Sequence, residues 1–223
     1  LIFLILNPIV GIALAFFMNE LGSKKILKCF QTSLLLPSLL SIQIITYIVY
    51  AFLCIDTGIM NKTILPTLGL DPVKWYTTPE VWPALLIFVH FWMRSGFSSV
   101  VYFSSMLSIS PEYYEVAELD SASKAKQFWY ITLPLLKPTI ITLMIISLGA
   151  IFKSDFGLFY QVPLGNGALY KTTQTIDTYV FRTLRSTGNP SQSMAISLFQ
   201  AIMGFICVWG ANYITKKKFQ EGA

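Results

Sequence analysis

The sequence predicts an all-α fold: a polytopic helix bundle in a membrane, with five spans visible and a sixth expected ahead of Leu1. Three observations carry this. Hydrophobic residues make up 54% of the 223 positions and charged residues only 12%, with a mean hydropathy of +0.61. Soluble domains average roughly 25% charged residues, and a chain this apolar cannot hide its surface from water. Five long apolar stretches recur, each near the roughly 20 residues that a spanning helix needs. Runs such as 140–146 do not alternate apolar with polar residues as barrel strands do. Backbone groups in hydrocarbon must be satisfied within the segment, so the spans are predicted to be helices.

The stretches follow in order. Residues 1–19 carry no charge, and neither do residues 33–54. Residues 81–109 carry only His90 and Arg94. Residues 138–152 are uncharged and span if extended at both ends; residues 194–214 are uncharged throughout. The chain begins at Leu1, without Met and inside an apolar run, so a missing N-terminal segment with one more span is expected. No internal repeat or low-complexity linker is evident, and residues 1–223 read as one membrane domain.

Loop lysines orient the spans. Lys24, Lys25 and Lys28 follow the first, Lys124 and Lys126 separate the third from the fourth, and Lys216, Lys217 and Lys218 follow the fifth. With five spans these loops share one side, and the positive-inside rule makes that side, with the C-terminus, cytoplasmic. Residues 55–80 and 153–193 are then outside; Arg182 and Arg185 oppose the rule mildly, but long loops weigh little in it. The net charge of +5 is accounted for by these flanking residues, and nucleic acid is not the expected partner.

Catalytic chemistry is not apparent. A phosphate-binding loop needs G-x-x-x-x-G-K-[ST]; the nearest approach, Gly165 to Thr172, has Tyr170 at the second glycine. One histidine makes a His-based metal site unfavourable. Cys29, Cys54 and Cys207 are far apart and read as packing residues. No catalytic residue and no metal ligand is assigned.

Polar residues in and beside the spans have two readings each. His90 and Arg94 share a helix face. Arg94 lines a translocation path or pairs with an acid of a partner subunit, or else snorkels or forms a structural ion pair; His90 lines the same path or packs. Asn212, Gln200 and Gln43 are placed for helix–helix hydrogen bonding, with Asn212 also a pathway candidate. Lys153, Asp155, Tyr160 and Gln161 form a rim for substrate entry or an interfacial belt, and Trp75, Tyr76 and Trp82 fit that belt.

The cytoplasmic loop, residues 110–134, has helix grammar. Ser110 is placed to cap a first helix and Pro111 suits its first turn. Glu112 and Glu115 lie near the positive end of the dipole. Asp120 or Ser121 is placed to cap a second helix, and Pro134 disfavours helix at Leu133. Two short helices bending near Asp120 and Ser121 follow. Tyr113, Tyr114, Phe128 and Trp129 offer large apolar contacts, and Ala117, Ala122 and Ala125 keep the surface small. Such a pair suits a groove on a partner protein, or lies on the bilayer surface.

Glu115-Val116-Ala117, Asp120-Ser121-Ala122 and then Phe128, Ile131, Leu133 and Pro134 resemble the EAA motif of binding-protein-dependent ABC importer permeases. Ser121 stands where that motif has glycine, and Val116 where it has its middle alanine. Glycine permits turn dihedrals that serine tolerates less well, so Ser121 is where the bend is expected to differ. Gly58–Lys62, Ser95-Gly96-Phe97, Ile176–Val180 and Ala211–Ile214 resemble the carbohydrate-uptake class, the polysaccharide and multiple-sugar permeases related to maltose permeases. The resemblance covers essentially the whole chain. It implies a coupling helix pair docking an ATPase through Glu115, Ala117, Asp120, Ser121, Ala122, Phe128, Ile131 and Pro134. It also implies a second, non-identical permease subunit, an ATP-binding subunit dimer holding the ATP and Mg, an extracellular solute-binding protein, a sugar substrate and a bacterial cell membrane. This chain itself would bind no cofactor. A permease for another solute, a secondary transporter and a non-transporting scaffold are the rival readings.

Overall fold

The computed structural model describes residues 2–188 and 190–220, the side chains of residues 218–220 excepted. Lys218, used above for orientation, and the Leu1 edge of the first span therefore lie outside the described side chains. Among the described residues there are helices and turns and no strand. The helices are α1 (Ile2–Glu20), α2 (Lys24–Leu39), α3 (Ile42–Leu53), α4 (Trp82–Leu107), α5 (Pro111–Leu119), α6 (Lys124–Gln127), α7 (Leu133–Leu148), α8 (Ile176–Thr187) and α9 (Pro190–Gln220), with short helical turns at Leu65–Thr67 and Tyr170–Thr173. Among the described residues, four segments are long and apolar enough to cross a membrane, or five if α2 and α3 make one broken span. The chain is a multi-pass membrane protein.

Two of the expected spans are corrected. Residues 33–54 are not one helix: α2 stops at Leu39 and α3 starts at Ile42. Ser41 is extended there, and its hydroxyl accepts from the Ile44 N–H at 3.4 Å. A side chain that caps a new helix offers the backbone an alternative to continuing the old one. The fourth span does not start at Pro138 and is not extended at both ends. It begins upstream, running from Lys124 to Leu148, with Pro138 inside α7.

The chain divides into two compact units. The first comprises Leu1–Ser38, Phe91–Ile151 and Phe205–Ala223. Its core is Ile12, Ala15, Met18, Tyr102, Phe103, Met106 and Leu136, with Phe16, Phe30, Phe128 and Leu143 packed against it. The Ser95-Gly96-Phe97 stretch has a physical reason here. A Cβ on Gly96 would lie 2.0 Å from the Leu34 carbonyl oxygen, so α2 and α4 touch backbone to backbone. Close approach of this kind is what small residues permit between membrane helices.

The second unit comprises Leu39–His90 and Phe152–Gly204. Ile45, Val49, Leu53, Trp82, Leu86, Leu158, Val162 and Leu169 are buried in it. Its polar knot joins the Ile176–Val180 stretch to α9. Asp177 accepts from the Ser154 N–H at 2.5 Å, the Ser154 hydroxyl at 2.7 Å and Gln200 Nε2 at 3.3 Å. Gln200 also donates to the Phe152 carbonyl at 2.6 Å, which fits the hydrogen-bonding reading of that residue. Thr175 caps α8 in a capping box with Thr178, and Gly188 ends it in the left-handed conformation.

Candidate functional site

Residues 110–134 fold as a closed hairpin of helical segments within the first unit. α5 begins at Pro111, where a missing N–H is harmless. Ser110 occupies the cap position, but its side chain makes no capping bond, so that expectation is corrected. α5 ends at the bend expected near Asp120 and Ser121. The Ser121 N–H donates to Glu118 O and the Ala122 N–H to Ala117 O, both at 2.9 Å. These two bonds make a Schellman motif, and its left-handed residue is Ser121, with φ of 55°. The E-A-A-x-x-x-G-A pattern is thus a helix terminator in physical terms, and Ser121 holds the glycine conformation without being glycine.

The second cap is also corrected. Neither Asp120 nor Ser121 caps α6; Ser123 does, accepting from the Lys126 N–H at 3.4 Å. The Schellman turn uses Asp120 and Ser121 to finish α5, so the next free hydroxyl starts α6. No break occurs at Leu133. The segment Phe128–Thr132 is a widened π-type turn, with the Leu133 N–H bonded to Phe128 O, and it leads straight into α7. Pro134 lacks an N–H, and its ring crowds the carbonyl four residues back; a widened turn absorbs both without ending the helix.

Three ties close the hairpin. The Tyr114 hydroxyl lies 2.9 Å from Thr132 Oγ1. Buried Gln127 donates to the Ala122 carbonyl at 3.2 Å. Lys124 and Glu118 pair at 3.1 Å, an exposed contact of little energetic weight. Phe128 packs inward on Phe16, with centroids 4.8 Å apart, and so belongs to the anchor. Ile131 is half-buried and Pro134 exposed. What faces outward is Glu115, Asp120, Ser121, Tyr113 at 55% exposure and Leu119 at 86%, with Ala117 and Ala122 half-buried behind them.

The six pathway candidates are divided between the two units. Arg94 and Asn212 belong to the first unit and His90, Asp155, Tyr160 and Gln161 to the second. Arg94 is exposed and borders a cavity of about 140 Å³ that Asn7, Ser98, Tyr102 and Ser147 also line. Asn212 is exposed and His90 half-buried. Asp155 accepts from the Leu158 N–H at 3.1 Å, starting a turn. Tyr160 stacks on Phe156 at 4.9 Å and meets Phe181 at 5.0 Å. Gln161 is half-buried, and its Oε1 has no hydrogen-bond partner among the described residues.

For Trp82 the aromatic belt reading is corrected. Trp82 is fully buried and donates to the Trp75 carbonyl at 2.8 Å. Tyr76 packs on Trp82 at 5.2 Å, and burial pushes its phenol above the usual range. Trp75 donates to Asn61 Oδ1 at 3.2 Å. Asn61 is the hub: it also accepts from the Val73 N–H at 2.9 Å and donates to Val73 O at 3.0 Å and Cys54 O at 3.4 Å. Sequence reasoning missed this hub, although its run, Gly58–Lys62, stood out by resemblance. It also missed the cavity of about 520 Å³ beside it, lined by Tyr50, Asp56, Lys74, Trp75, Tyr76 and Asn166 among others.

The profile of the family described as binding-protein-dependent transport system inner membrane component matches residues 8–217. Protein LplB of Bacillus subtilis (strain 168) is 31% identical over 210 residues, 94% of this chain and 65% of the relative. The polygalacturonan/rhamnogalacturonan transport system permease protein YteP of the same strain is 30% identical over 213 residues, 96% of this chain and 65% of the relative. The chain thus spans about 65% of the length of these curated relatives. In the crystal structure of a bacterial alginate ABC transporter in complex with alginate pentasaccharide-bound periplasmic protein, a chain superposes with a TM-score of 0.89 at 33% identity, covering 97% of this chain and 74% of that one. The match takes in the Schellman-closed loop and both units, and the chain belongs to the family of binding-protein-dependent transport system inner membrane components.

Proposed function

We propose that this chain is the transmembrane permease subunit of an ABC importer for oligosaccharides or other sugars. It works by alternating access, receives its substrate from an extracellular solute-binding protein, and leaves ATP and Mg to a separate ATP-binding subunit dimer. The names of the similar proteins, which concern polygalacturonan/rhamnogalacturonan and alginate, support the sugar reading. A second, non-identical permease completes the path. The lysine-flanked side, with residues 110–134 and the C-terminus, is cytoplasmic.

The observation that carries this reading is mechanical. The exposed bend at Ser121 is tied by Gln127, and α6 runs through the Phe128–Thr132 turn into α7 without a break. A push on the bend is therefore delivered along a helix into a membrane span. Glu115, Ala117, Asp120, Ser121 and Ala122 form the docking surface; Phe128, Ile131 and Pro134 join it to the span. Sugar passage uses Arg94, His90, Asp155, Tyr160, Gln161 and Asn212 as candidate wall residues. Glu115→Lys, tested in proteoliposomes with the partner subunits, is expected to abolish sugar-stimulated ATP hydrolysis while the protein still inserts. Normal stimulation by that variant refutes the docking role.

A further inference from the structure

The cavity beside Tyr76 has walls built to stay in place. Asn61 fastens the Val73 backbone and Trp75, Trp82 holds the Trp75 carbonyl, and Asn166 donates to the Tyr76 carbonyl at 2.7 Å. Its volume of about 520 Å³ lies within the roughly 300–1,000 Å³ of small-molecule sites. Several of its polar groups are unclaimed. The Tyr76 hydroxyl is buried and has no partner among the described residues. Asp56 and Lys74 line the cavity and form no ion pair among the described residues.

Aromatic faces with a few spaced polar groups are what a saccharide requires. The C–H face of a sugar ring covers an aromatic ring, and its hydroxyls need acceptors and donors at the rim. Asp56 supplies an acceptor for hydroxyls, Lys74 a donor, and Tyr50 and Trp75 the faces. We propose that this cavity is a saccharide-binding subsite that holds one end of the oligosaccharide before it enters the path between the spans. The proposal rests on the oligosaccharide reading above and locates a site that the expected pathway residues do not contain.

The test uses the assembled transporter in nanodiscs, without its binding protein, titrated calorimetrically with tetragalacturonate and with maltotetraose. Saturable binding of at least one probe is expected. Tyr50→Ala, and the conservative Asp56→Asn, should each weaken it about tenfold, as loss of one sugar partner implies. Leu68→Ser, in the same loop but outside the cavity, should leave it unchanged. Unaltered binding by the two cavity variants, or no binding of either probe by the parent protein, overturns the subsite. ATP-driven uptake with the binding protein separates the two failures. Uptake that proceeds without cavity binding removes the subsite alone; absence of any oligosaccharide uptake removes the importer reading.

Discussion

Ser121→Gly should stabilise the loop. Ser121 sits at φ of 55° in the Schellman turn that ends α5. For a residue with a Cβ this conformation costs about 1–2 kcal/mol. Glycine removes that cost but raises the entropy lost on ordering by about 0.5–1 kcal/mol. The difference is a net gain of about 0.5–1 kcal/mol, or roughly two- to fivefold in the opening equilibrium. The turn is exposed and its opening is local, so whole-protein melting is a blunt readout. Amide hydrogen exchange is the suitable assay, because the N–H groups of Ser121 and Ala122 make the two bonds of the motif. Protection at residues 121 and 122 should rise by that factor in Ser121→Gly and fall in Ser121→Val, whose branched side chain suits the left-handed region less. Equal or lower protection in Ser121→Gly would refute the strained-terminator account.

Two further substitutions test the packing. Gly96→Ala places a Cβ 2.0 Å from the Leu34 carbonyl oxygen, a backbone atom that cannot swing away. It should cost about 3 kcal/mol, the upper end of overpacking. The thermal midpoint should fall well below that of Gly149→Ala, whose Cβ meets a Val208 methyl at 3.2 Å and the Ile146 carbonyl oxygen at 3.3 Å; equal midpoints would speak against the contact. Asp177→Asn turns one acceptor oxygen toward donors as an N–H₂ and weakens the bonds from Ser154 and Gln200. A loss of about 1.5–3 kcal/mol is expected, read as a lower midpoint in tryptophan-monitored melting; an unchanged midpoint would exclude Asp177 as a structural hub.

Much of the loop was legible because its controls are local. The bend at Ser121 follows from bonds reaching three and five residues back, and the E-A-A spacing writes them into a short window. The capping residue was misplaced by two to three positions, since the Schellman turn consumed Asp120 and Ser121 before α6 began at Lys124. Pro134 was misread as a stop because a π-type turn can accommodate it, and periodicity does not distinguish that turn from an α-turn. The hydrogen bond from the Leu158 N–H to Asp155 joins residues only three positions apart, but polarity along the chain does not show that it forms.

The sequence by itself determined the class of the protein. Apolar length, lysine placement and short-range turn chemistry depend on neighbours along the chain, so they mark the apolar stretches, the loop at residues 110–134 and the family. Only the tertiary structure decided which backbones touch at Gly96, why Trp82 is buried rather than lipid-facing, and how Asn61 braces a cavity out of Tyr50, Lys74 and Asn166. Those outcomes depend on groups up to 116 positions apart (Tyr50 to Asn166) that meet only after the helices pack. Hydrogen bonding and excluded volume act through space, and residue order along the chain does not encode such meetings locally.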